Sequence, residues 1–359
     1  MKISRVFLAV ASICVAGCGD DDNLPDGGLP AASVRLAQTN LVSDQAGAAY
    51  QDPMLINAWG LAFGPTGVAW VASNGTGTDR LYDGSGAPNG SLPAVTIPAP
   101  GGAAGPSAPT GQVFNADAAA FHGDLFLVST EDGTIAGWKQ ANGATAVLEV
   151  DKSAGADHPV YKGLTIAVAN GATRLYAADF HNGRIDIYDA NFASITVSGT
   201  FTDPNLPAGF APFNVRALAG KIYVTYAKQD AARKDDTPGI GNGYVDSYDL
   251  DGGTLTRLIS AGPLNSPWGL ALAPANFGGA SNALLVGNFG DGQLNSFIAA
   301  TGSLLANMKN TTGAPLVIDG LWALEFGRGA TGENVNQLFF TAGPGDESHG
   351  LFGRLDVAP

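Results

Sequence analysis

One strand-like segment recurs six times along the chain, and this repetition restricts the possible folds more than any other feature. The segment is apolar and returns at intervals of about 50 residues. Its six copies begin at Trp59, Gly111, Lys162, Phe213, Trp268 and Leu321. Because one short unit cannot bury its apolar surface alone, the six units are expected to pack against one another as repeats.

Each copy is followed by two further strand-like segments that are joined by a short polar turn. The clearest example runs from Leu175 to Asp179, turns at Asn182-Gly183, and continues from Arg184 to Asp189. Asp132-Gly133 and Asp291-Gly292 stand at the same place in two other units. Asn-Gly and Asp-Gly favour type I′ turns, in which both central residues have positive φ. The second and third strands of a unit are therefore predicted to be antiparallel.

A fourth, weaker strand follows in most units, as at 146–150 and 254–259. Six four-stranded units arranged radially make a six-bladed β-propeller, an all-β fold in which each sheet packs against its neighbours. The last unit has only three strands, whereas residues 33–42 form an unassigned strand at the front of the chain. We therefore predict a single propeller domain over residues 33–357 that is closed by this N-terminal strand. A pair of all-β sandwiches is the alternative, but it does not require six copies of one pattern.

Several segments resemble known families. Pro267 to Ala271 and Leu175 to Asp189 resemble NHL-type propeller repeats, in which a Pro-x-Gly-hydrophobic-Ala strand precedes a strand ending in Ala-Asp. More closely, the segments 57–63, 130–138 and 178–185, together with 265–271, are similar to an uncharacterised family of exported bacterial proteins over residues 38–355. The resemblance implies a six-bladed propeller and implies no activity, since a fold alone does not determine a function.

The first 18 residues have the pattern of an export signal. Lys2 and Arg5 precede a short apolar run, and Val15-Ala16-Gly17-Cys18 resembles a bacterial lipobox. By that resemblance, Cys18 becomes the first residue of the mature protein and carries acyl chains that anchor it to a membrane. We expect residues 19–32 to be a flexible acidic tether, and the protein to be exported and lipid-anchored on the periplasmic side or the surface of a bacterium. An ordinary secretory signal with an incidental cysteine is the alternative.

Charge and cysteine content disfavour several classes of partner and bond. The chain has 18 basic and 32 acidic residues and a formal net charge of −14, so the phosphates of a nucleic acid and an anionic lipid surface would repel it. The two cysteines are Cys14 and Cys18, and cleavage before Cys18 would leave no pair for an internal disulfide. We expect a monomer that binds no nucleic acid and is stabilised by its core and by ring closure.

In a propeller, the turns between second and third strands lie on the same face as the starts of the first strands. On this surface, called the loop face, polar side chains from different units converge. Those predicted to lie there are Asn57, Asn74, Glu131, Asp132, Lys162, Asp179, His181, Asn214, Asn265, Asn288, Asp291, Asp319, Asp346, Glu347 and His349. The favoured ligand-binding candidates among them are Asp179, His181, Asn288, Asp291, Lys162 and Asn265.

Oxygen-rich side chains on one rim suit a hard cation, and Asp179, His181 and Asp291 are the candidates for holding one such as Ca²⁺. His181 is also the best placed acid or base, because an imidazole titrates near neutral pH. The alternative for each residue is structural, since Asp and Asn form turns and cap strand ends. The four histidines show no H-x-x-H spacing, and the chain has no nucleophile-elbow or phosphate-loop motif.

Two further features are compatible with either a structural or a functional role. Trp59, Trp268 and Trp322 begin first strands, where they are predicted to pack between blades or to line the central channel. The turn at 228–243 is longer and more charged than its counterparts in other units. Such an insertion is typical of a lid, of a partner-binding loop or of tolerated surface variation.

The sequence favours a membrane-tethered, extracytoplasmic propeller that binds a protein, a glycan or a small ligand on its loop face. The alternative is an enzyme of that same face, either a metal-assisted hydrolase of the lactonase type or a quinone-cofactor dehydrogenase. No motif distinguishes the two classes, and the catalytic residues and the cofactor stay open at this point.

Overall fold

Six β-sheets are arranged as blades around a central axis. In the computed structural model, which describes residues 34–103, 105–330 and 332–358, the first strand of each blade contacts the first strand of the next blade. The first strand of the sixth blade contacts that of the first, which closes the ring. The predicted six-bladed β-propeller is thereby confirmed. The predicted signal peptide, Cys18 and the tether at 19–32 lie outside the described residues.

The blades are numbered 1 to 6 in chain order. From the axis outward, blade 1 contains β3 (Ala58–Phe63), β4 (Ala69–Ser73), β5 (Thr78–Tyr82) and β6 (Ala94–Thr96), and blade 2 contains β7 (Pro109–Phe114), β8 (Phe126–Thr130), β9 (Thr134–Trp138) and β10 (Val147–Asp151). Blade 3 contains β11 (Tyr161–Ala169), β12 (Ala172–Asp179) and β13 (Arg184–Tyr188), and blade 4 contains β14 (Phe210–Leu218), β15 (Lys221–Lys228), β16 (Gly243–Tyr248) and β17 (Thr256–Ser260). Blade 5 contains β18 (Pro267–Leu272), β19 (Ala283–Asn288), β20 (Leu294–Ile298) and β21 (Leu304–Asn307), and blade 6 contains β23 (Leu321–Phe326), β24 (Leu338–Ala342), β25 (Leu351–Val357) and β1 (Arg35–Ser43).

Helical structure in the described part of the chain is limited to short 3-10 turns. These lie at Asn74–Thr76, Pro100–Gly102, Phe121–Gly123, Gln140–Asn142 and Gly278–Ala280. Within the described ranges, no helix is long and apolar enough to cross a membrane.

The N-terminal strand β1 completes blade 6, as predicted. It pairs antiparallel with β25 from Leu36 opposite Val357 to Ser43 opposite Leu351. Two-residue strands, β2 (Tyr50–Gln51) and β22 (Lys309–Asn310), add parallel to its outer edge. Both ends of the domain therefore share one sheet, and opening the ring requires breaking this ladder.

The structure differs from the expectation in the third blade and in the turns. Blade 3 has three strands, followed by an isolated bridge between Tyr188 and Ser194. The next segment contains Pro204 and Pro207, which lack the amide hydrogen that a strand ladder needs. The turns predicted as type I′ are antiparallel connections of another type, because in the 180–183 turn only Gly183 has positive φ, at 67°.

Apolar clusters fill the spaces between adjacent blades, and close approach of the first strands requires glycine. A Cβ atom on Gly60 would lie 2.2 Å from the Thr110 carbonyl oxygen of the next blade. One on Gly163 would lie 2.2 Å from Asn214 Oδ1 of blade 4. The glycines near the start of several first strands thus allow these inner strands to approach their neighbours closely around the axis.

Candidate functional site

The first strand of every blade contains a bulge near its start on the loop face. A bulge leaves one residue out of the ladder and re-aims its side chain. The residues at this position are Trp59, Thr110, Lys162, Phe213, Trp268 and Trp322. Lys162 is therefore the single charged residue in this ring of equivalent positions.

Aromatic side chains from these bulges fill the axis beneath the loop face. Trp322 stacks on Trp59 with ring centroids 3.7 Å apart and on Phe289 at 3.8 Å. Trp268 and Phe213 approach Trp322 at 5.9 and 5.8 Å. The predicted tryptophans thus line the axis by packing on each other across the blades, and they form an aromatic floor.

Lys162 lies on this floor and is almost fully buried, with 2% of its surface exposed. Its Nζ is 5.0 Å from the Trp59 ring centroid. It donates to Glu131 Oε1 of blade 2, and to Asp235 Oδ1 at 3.1 Å. Asp235 belongs to the long turn of blade 4, so the charged insertion singled out in the sequence reaches the axis.

A chain of amides connects this ion pair to a further carboxylate in blade 6. Asn74 Nδ2 donates to Glu131 Oε2 at 3.3 Å, and Asn57 Nδ2 lies 3.4 Å from Asn74 Oδ1. Asn57 Nδ2 also donates to Glu347 Oε2 at 2.8 Å. The Asn57 oxygen accepts from the Trp322 indole nitrogen at 2.9 Å, which fixes the orientation of the amide. We name Glu131, Lys162, Asp235, Asp236 and Glu347 the axial cluster.

The carboxylates of the axial cluster have opposite electrostatic environments. Burial opposes ionisation of Glu131, but the Lys162 ammonium outweighs it and lowers the pKa of Glu131. Burial, reinforced by the negative charge of Glu131, raises the pKa of Glu347 to about 7. Burial also raises the pKa of Asp236. The cluster therefore holds one carboxylate that stays ionised and another that exchanges its proton near neutral pH.

Lys162 itself stays protonated. Burial would lower its pKa, but the charges of Glu131 and Asp235 overcome that effect and raise it. A permanently charged amine is a poor nucleophile, since nucleophilic lysines need a lowered pKa. Its chemical role is to hold negative charge, on the protein or on a bound molecule.

Asp179 and His181, the other two candidates of blade 3, make no hydrogen bond to the axial cluster in the described residues. Asp179 accepts from the Asn182 amide nitrogen at 3.2 Å, from Asn182 Nδ2 at 2.7 Å and from the Val160 amide nitrogen at 3.3 Å. These bonds tie the carboxylate to its own turn and to the segment that leads into β11, as the alternative of a turn-forming role for Asp179 predicts. The His181 carbonyl oxygen accepts weakly, at 3.4 Å, from Gln229 Nε2 of the blade 4 turn. A ligand-binding role for either residue stays a prediction.

The candidates of blade 5 form a separate group that supports the blade 4 turn. Asp291 accepts from Asn288 Nδ2 at 3.1 Å and from Asn265 Nδ2 at 3.3 Å. Asn265 Oδ1 accepts from the Gly239 amide nitrogen at 2.6 Å. The turn that carries Asp235 and Asp236 is thus hydrogen-bonded to blade 5 and is held over the axis. Of the six favoured candidates, Lys162 alone belongs to the axial cluster.

Metal binding stays a prediction. No group of three or more His, Cys, Asp or Glu side chains in the described ranges is arranged to hold a metal ion. The carboxylates of Glu131 and Asp235 are already occupied by an ammonium rather than directed at an empty centre.

From the sequence, Glu131 and Glu347 are predicted to lie on the loop face but are not among the six favoured candidates. Asp235 and Asp236 enter only as part of the charged insertion at 228–243. One signal would have found them. A lysine at a repeat position that is otherwise aromatic or small must be buried at the axis, and a buried ammonium requires carboxylate partners from neighbouring blades.

No family model matches the chain. Two curated relatives are uncharacterized proteins of Acanthamoeba polyphaga mimivirus. One is 33% identical over 330 residues, which cover 88% of this chain and 78% of the relative. The other is 32% identical over 323 residues, which cover 86% of this chain and 82% of that relative. These relatives are viral, so they give no support to the predicted bacterial origin and export, which stay predictions.

Solved structures share the architecture. A virginiamycin B lyase from Staphylococcus aureus aligns with a TM-score of 0.53 and 13% identity over 91% of this chain and 100% of that one. A streptogramin B lyase aligns with a TM-score of 0.52 and 12% identity, and the alignment covers 90% of this chain and 97% of the lyase. A protein of unknown function from Bacteroides thetaiotaomicron aligns with a TM-score of 0.57 and 11% identity, and the alignment covers 90% of this chain and 77% of that protein. At such identities the likeness shows the fold alone.

Proposed function

The chain belongs to one family with the two uncharacterized mimivirus proteins, and from its own axial geometry we propose that it is a binding protein whose axial cluster takes a small cationic molecule. The observation that carries the proposal is the charge balance on the aromatic floor. Four carboxyl groups, those of Glu131, Asp235, Asp236 and Glu347, lie near the buried ammonium of Lys162, and the charge of a second ammonium, that of Lys234, also acts on Glu131. An ammonium or guanidinium group of a ligand would compensate the excess.

Buried polar atoms of the site support this proposal. Asp236 Oδ2 is buried, and the Ser266 hydroxyl is the side-chain donor beside it. The indole nitrogen of Trp59, a residue with 1% of its surface exposed, has no acceptor among the described residues. A buried polar atom without a partner costs about 1–3 kcal/mol. A ligand that also has an acceptor group would recover part of this cost.

The site also has an exposed side through which a ligand can approach. The Asp235 side chain is 60% exposed although it pairs with buried Lys162. Glu347 lies in the turn between β24 and β25, beside exposed Asp346. Electrostatic attraction by a chain with a formal net charge of −14 would raise the local concentration of cations.

Three compounds of equal length test the proposal by titration calorimetry. 1,4-Diaminobutane is a dication, 1,4-butanediol is neutral and succinate is a dianion. We expect saturable binding of the diamine alone, weakened at least about tenfold in Glu347→Gln or Asp236→Asn. Asp346→Asn is the matched control, because it removes a neighbouring exposed carboxylate, and it should bind like wild type. Preference for the diol would indicate a hydroxyl-rich ligand such as a glycan, and preference for succinate would contradict the proposal.

A second candidate function, acid/base catalysis, rests on the opposite pKa shifts of Glu131 and Glu347. A pair of carboxyl groups whose pKa values are moved apart is typical of an acid and a base that act in one reaction. Hydrolysis of δ-valerolactone, followed by pH-stat, tests the lactonase form of this hypothesis. Activity that depends on a group with a pKa near 7 and is lost in Glu347→Gln would support it. Hydrolysis no faster than in buffer would reject it.

The proposed function includes a location for the protein in the cell. We place the propeller outside the cytoplasm, tethered to a bacterial membrane through Cys18 and the acidic segment 19–32. The lipobox-like sequence supports the tether, and the excess of acidic residues supports the exclusion of nucleic acid. We expect the tethered form to be a monomer that presents its loop face to soluble ligands.

A further inference from the structure

We infer that the face opposite the loop face contains a second binding site, for a small organic carboxylate with an apolar body and a hydrogen-bond donor. There the inner strands end around a cavity of about 690 Å³. Its lining comes from blades 1, 2, 3, 4 and 6, so the cavity is the other mouth of the central axis. Small-molecule sites span about 300–1,000 Å³.

Two arginines in this cavity share one glutamate. Arg216 of β14 donates to Glu325 Oε2 of β23, across the width of blade 5. The Arg328 guanidinium lies 3.6 Å from Glu325 Oε1 and 5.8 Å from the centroid of Phe114. The Glu333 carboxyl group also lies beside Arg328 and accepts from its backbone amide nitrogen at 2.9 Å. The Arg328 guanidinium, however, is beyond hydrogen-bond distance of Glu325 and belongs to a side chain that is 42% exposed, so its donors are open to a ligand. A ligand carboxylate is the complementary group, because guanidinium binds it in a two-pronged geometry.

The other acidic group of the lining is already engaged. Asp117 Oδ2 accepts from the Thr173 hydroxyl at 2.6 Å, and Asp117 Oδ1 accepts from the Ala119 amide nitrogen at 3.0 Å. These bonds hold the carboxylate at the 115–124 loop. Neither Arg216 nor Arg328 pairs with it in the described structure.

Gln112 supplies the polar group for the ligand's donor. It is 97% buried, with 3% of its surface exposed, and it lines the cavity. Its Nε2 donates to the carbonyl oxygens of Gly60 and Trp70. These two acceptors fix which side of the amide is nitrogen, so Oε1 is held as an acceptor, and it has no donor among the described residues. An N–H or O–H group of a ligand would satisfy it.

Apolar residues form the rest of the lining. Leu61, Ile166 and Leu218 come from three blades, and Val168 is an exposed large hydrophobic residue at 60%. Burying a ligand's hydrocarbon group against them contributes about 25 cal/mol per Å². A carboxylate, a donor and an apolar body together describe N-acylated amino acids and similar small acids.

N-acetylphenylalanine and its primary amide are the probes for this site. Titration of the propeller with each, followed by calorimetry, isolates the contribution of the carboxylate. We expect saturable binding of the acid, with the amide at least about tenfold weaker. Arg328→Gln should weaken the acid by a similar factor, and Gln112→Leu should weaken both probes. Equal affinities of acid and amide, or no saturation by the acid up to about 10 mM, would overturn the inference.

Two further variants make the result specific. Arg354→Gln removes an arginine that pairs with Asp356 on β25, away from the cavity, and should bind the acid like wild type. Glu347→Gln alters the axial cluster at the opposite face and should also leave this affinity unchanged. Loss of acid binding in Arg354→Gln as large as in Arg328→Gln would show a general charge effect and would refute the site. Failure of diamine binding at the axial cluster leaves these expectations unaffected.

Discussion

Asn57 Nδ2 donates to Glu347 Oε2 at 2.8 Å and joins the first blade to the last at the centre of the loop face. The two residues are separated by 290 positions in the chain. This bond brings the carboxyl group of Glu347, whose pKa is about 7, next to the network that contains Lys162. The interface between the last and first blades, where the ring closes, therefore also holds part of the axial cluster.

Glu347 is expected to make stability depend on pH. Its pKa rises from 4.5 to about 7 on folding, so the folded state disfavours the charged form, and this group lowers stability as pH rises from 4.5 to 7. Glu347→Gln should therefore gain stability over wild type across that window, on the order of a few kcal/mol at pH 7.5. Urea unfolding at four pH values between 4.5 and 7.5 measures the difference. A difference that is constant with pH would contradict the assignment.

Lys162→Met is expected to destabilise the protein strongly. Removing the ammonium leaves the buried carboxylate of Glu131 without its counter-ion, and breaking a buried pair from one side costs about 3–5 kcal/mol. The double variant with Glu131→Gln should recover part of the loss, because no unpaired charge remains. Chemical denaturation compares both with Lys221→Met, which removes an exposed lysine of β15. A loss no larger than that of the control would show that the pair is dispensable.

Asp79→Asn is expected to stabilise the protein. Asp79 of β5 is 1% exposed, and neither carboxyl oxygen has a hydrogen-bond partner among the described residues. Burial raises its pKa from 3.8 to about 8, so stability falls as pH rises through that interval. The neutral amide avoids the cost, and the gain at pH 8 should be on the order of a few kcal/mol. The melting temperature of the variant should exceed that of wild type by more at pH 8 than at pH 5, and an equal difference would argue against this explanation.

Substitutions in β1 test the closure of the ring. Leu36 is fully buried in a cluster of fifth- and last-blade residues and Val42 in a cluster that contains first- and last-blade residues, whereas Gln38 and Asn40 of the same strand are exposed. Leu36→Ala should cost about 2–5 kcal/mol, and Val42→Ala somewhat less. Gln38→Ala and Asn40→Ala should change the free energy of unfolding by about 0.5 kcal/mol or less. Equal effects at buried and exposed positions would mean that β1 does not hold the ring closed.

Cys18→Ser tests the proposed membrane tether. Without the sulfur atom no thioether-linked acyl chains can form, so the protein should move from the membrane fraction to the soluble fraction of the bacterial host. Cys14→Ser is the matched control, since Cys14 precedes the proposed cleavage position, and it should stay with the membrane. Unchanged membrane association of Cys18→Ser would refute the lipoprotein hypothesis.

The sequence was sufficient to predict the architecture because its main signal is local and repeated. Each copy of the inner strand carries its own apolar residues and is followed by two further strands, so six copies imply six blades. The unpaired strand before residue 43 likewise indicated the closure that β1 and β25 make. The turn type was mispredicted, because the Asn-Gly and Asp-Gly pairs lie within turns of three to five residues in which the last glycine alone takes positive φ.

The grouping of the polar side chains was decided only by the tertiary structure. Asp179 and Asn288 end second strands and Lys162 lies near the start of a first strand, and the sequence predicts all three on the loop face. In the structure, Asp179 and Asn288 bind within or beside their own turns, whereas Lys162 lies in a bulge and reaches carboxylates of two other blades. Which carboxylates meet an ammonium depends on side-chain direction and on the distance between blades, and neither is encoded in a local run of residues. The cavity on the face opposite the loop face is likewise formed only by the tertiary structure, because Arg216 and Glu325 become partners only when the ring brings the fourth and sixth blades together.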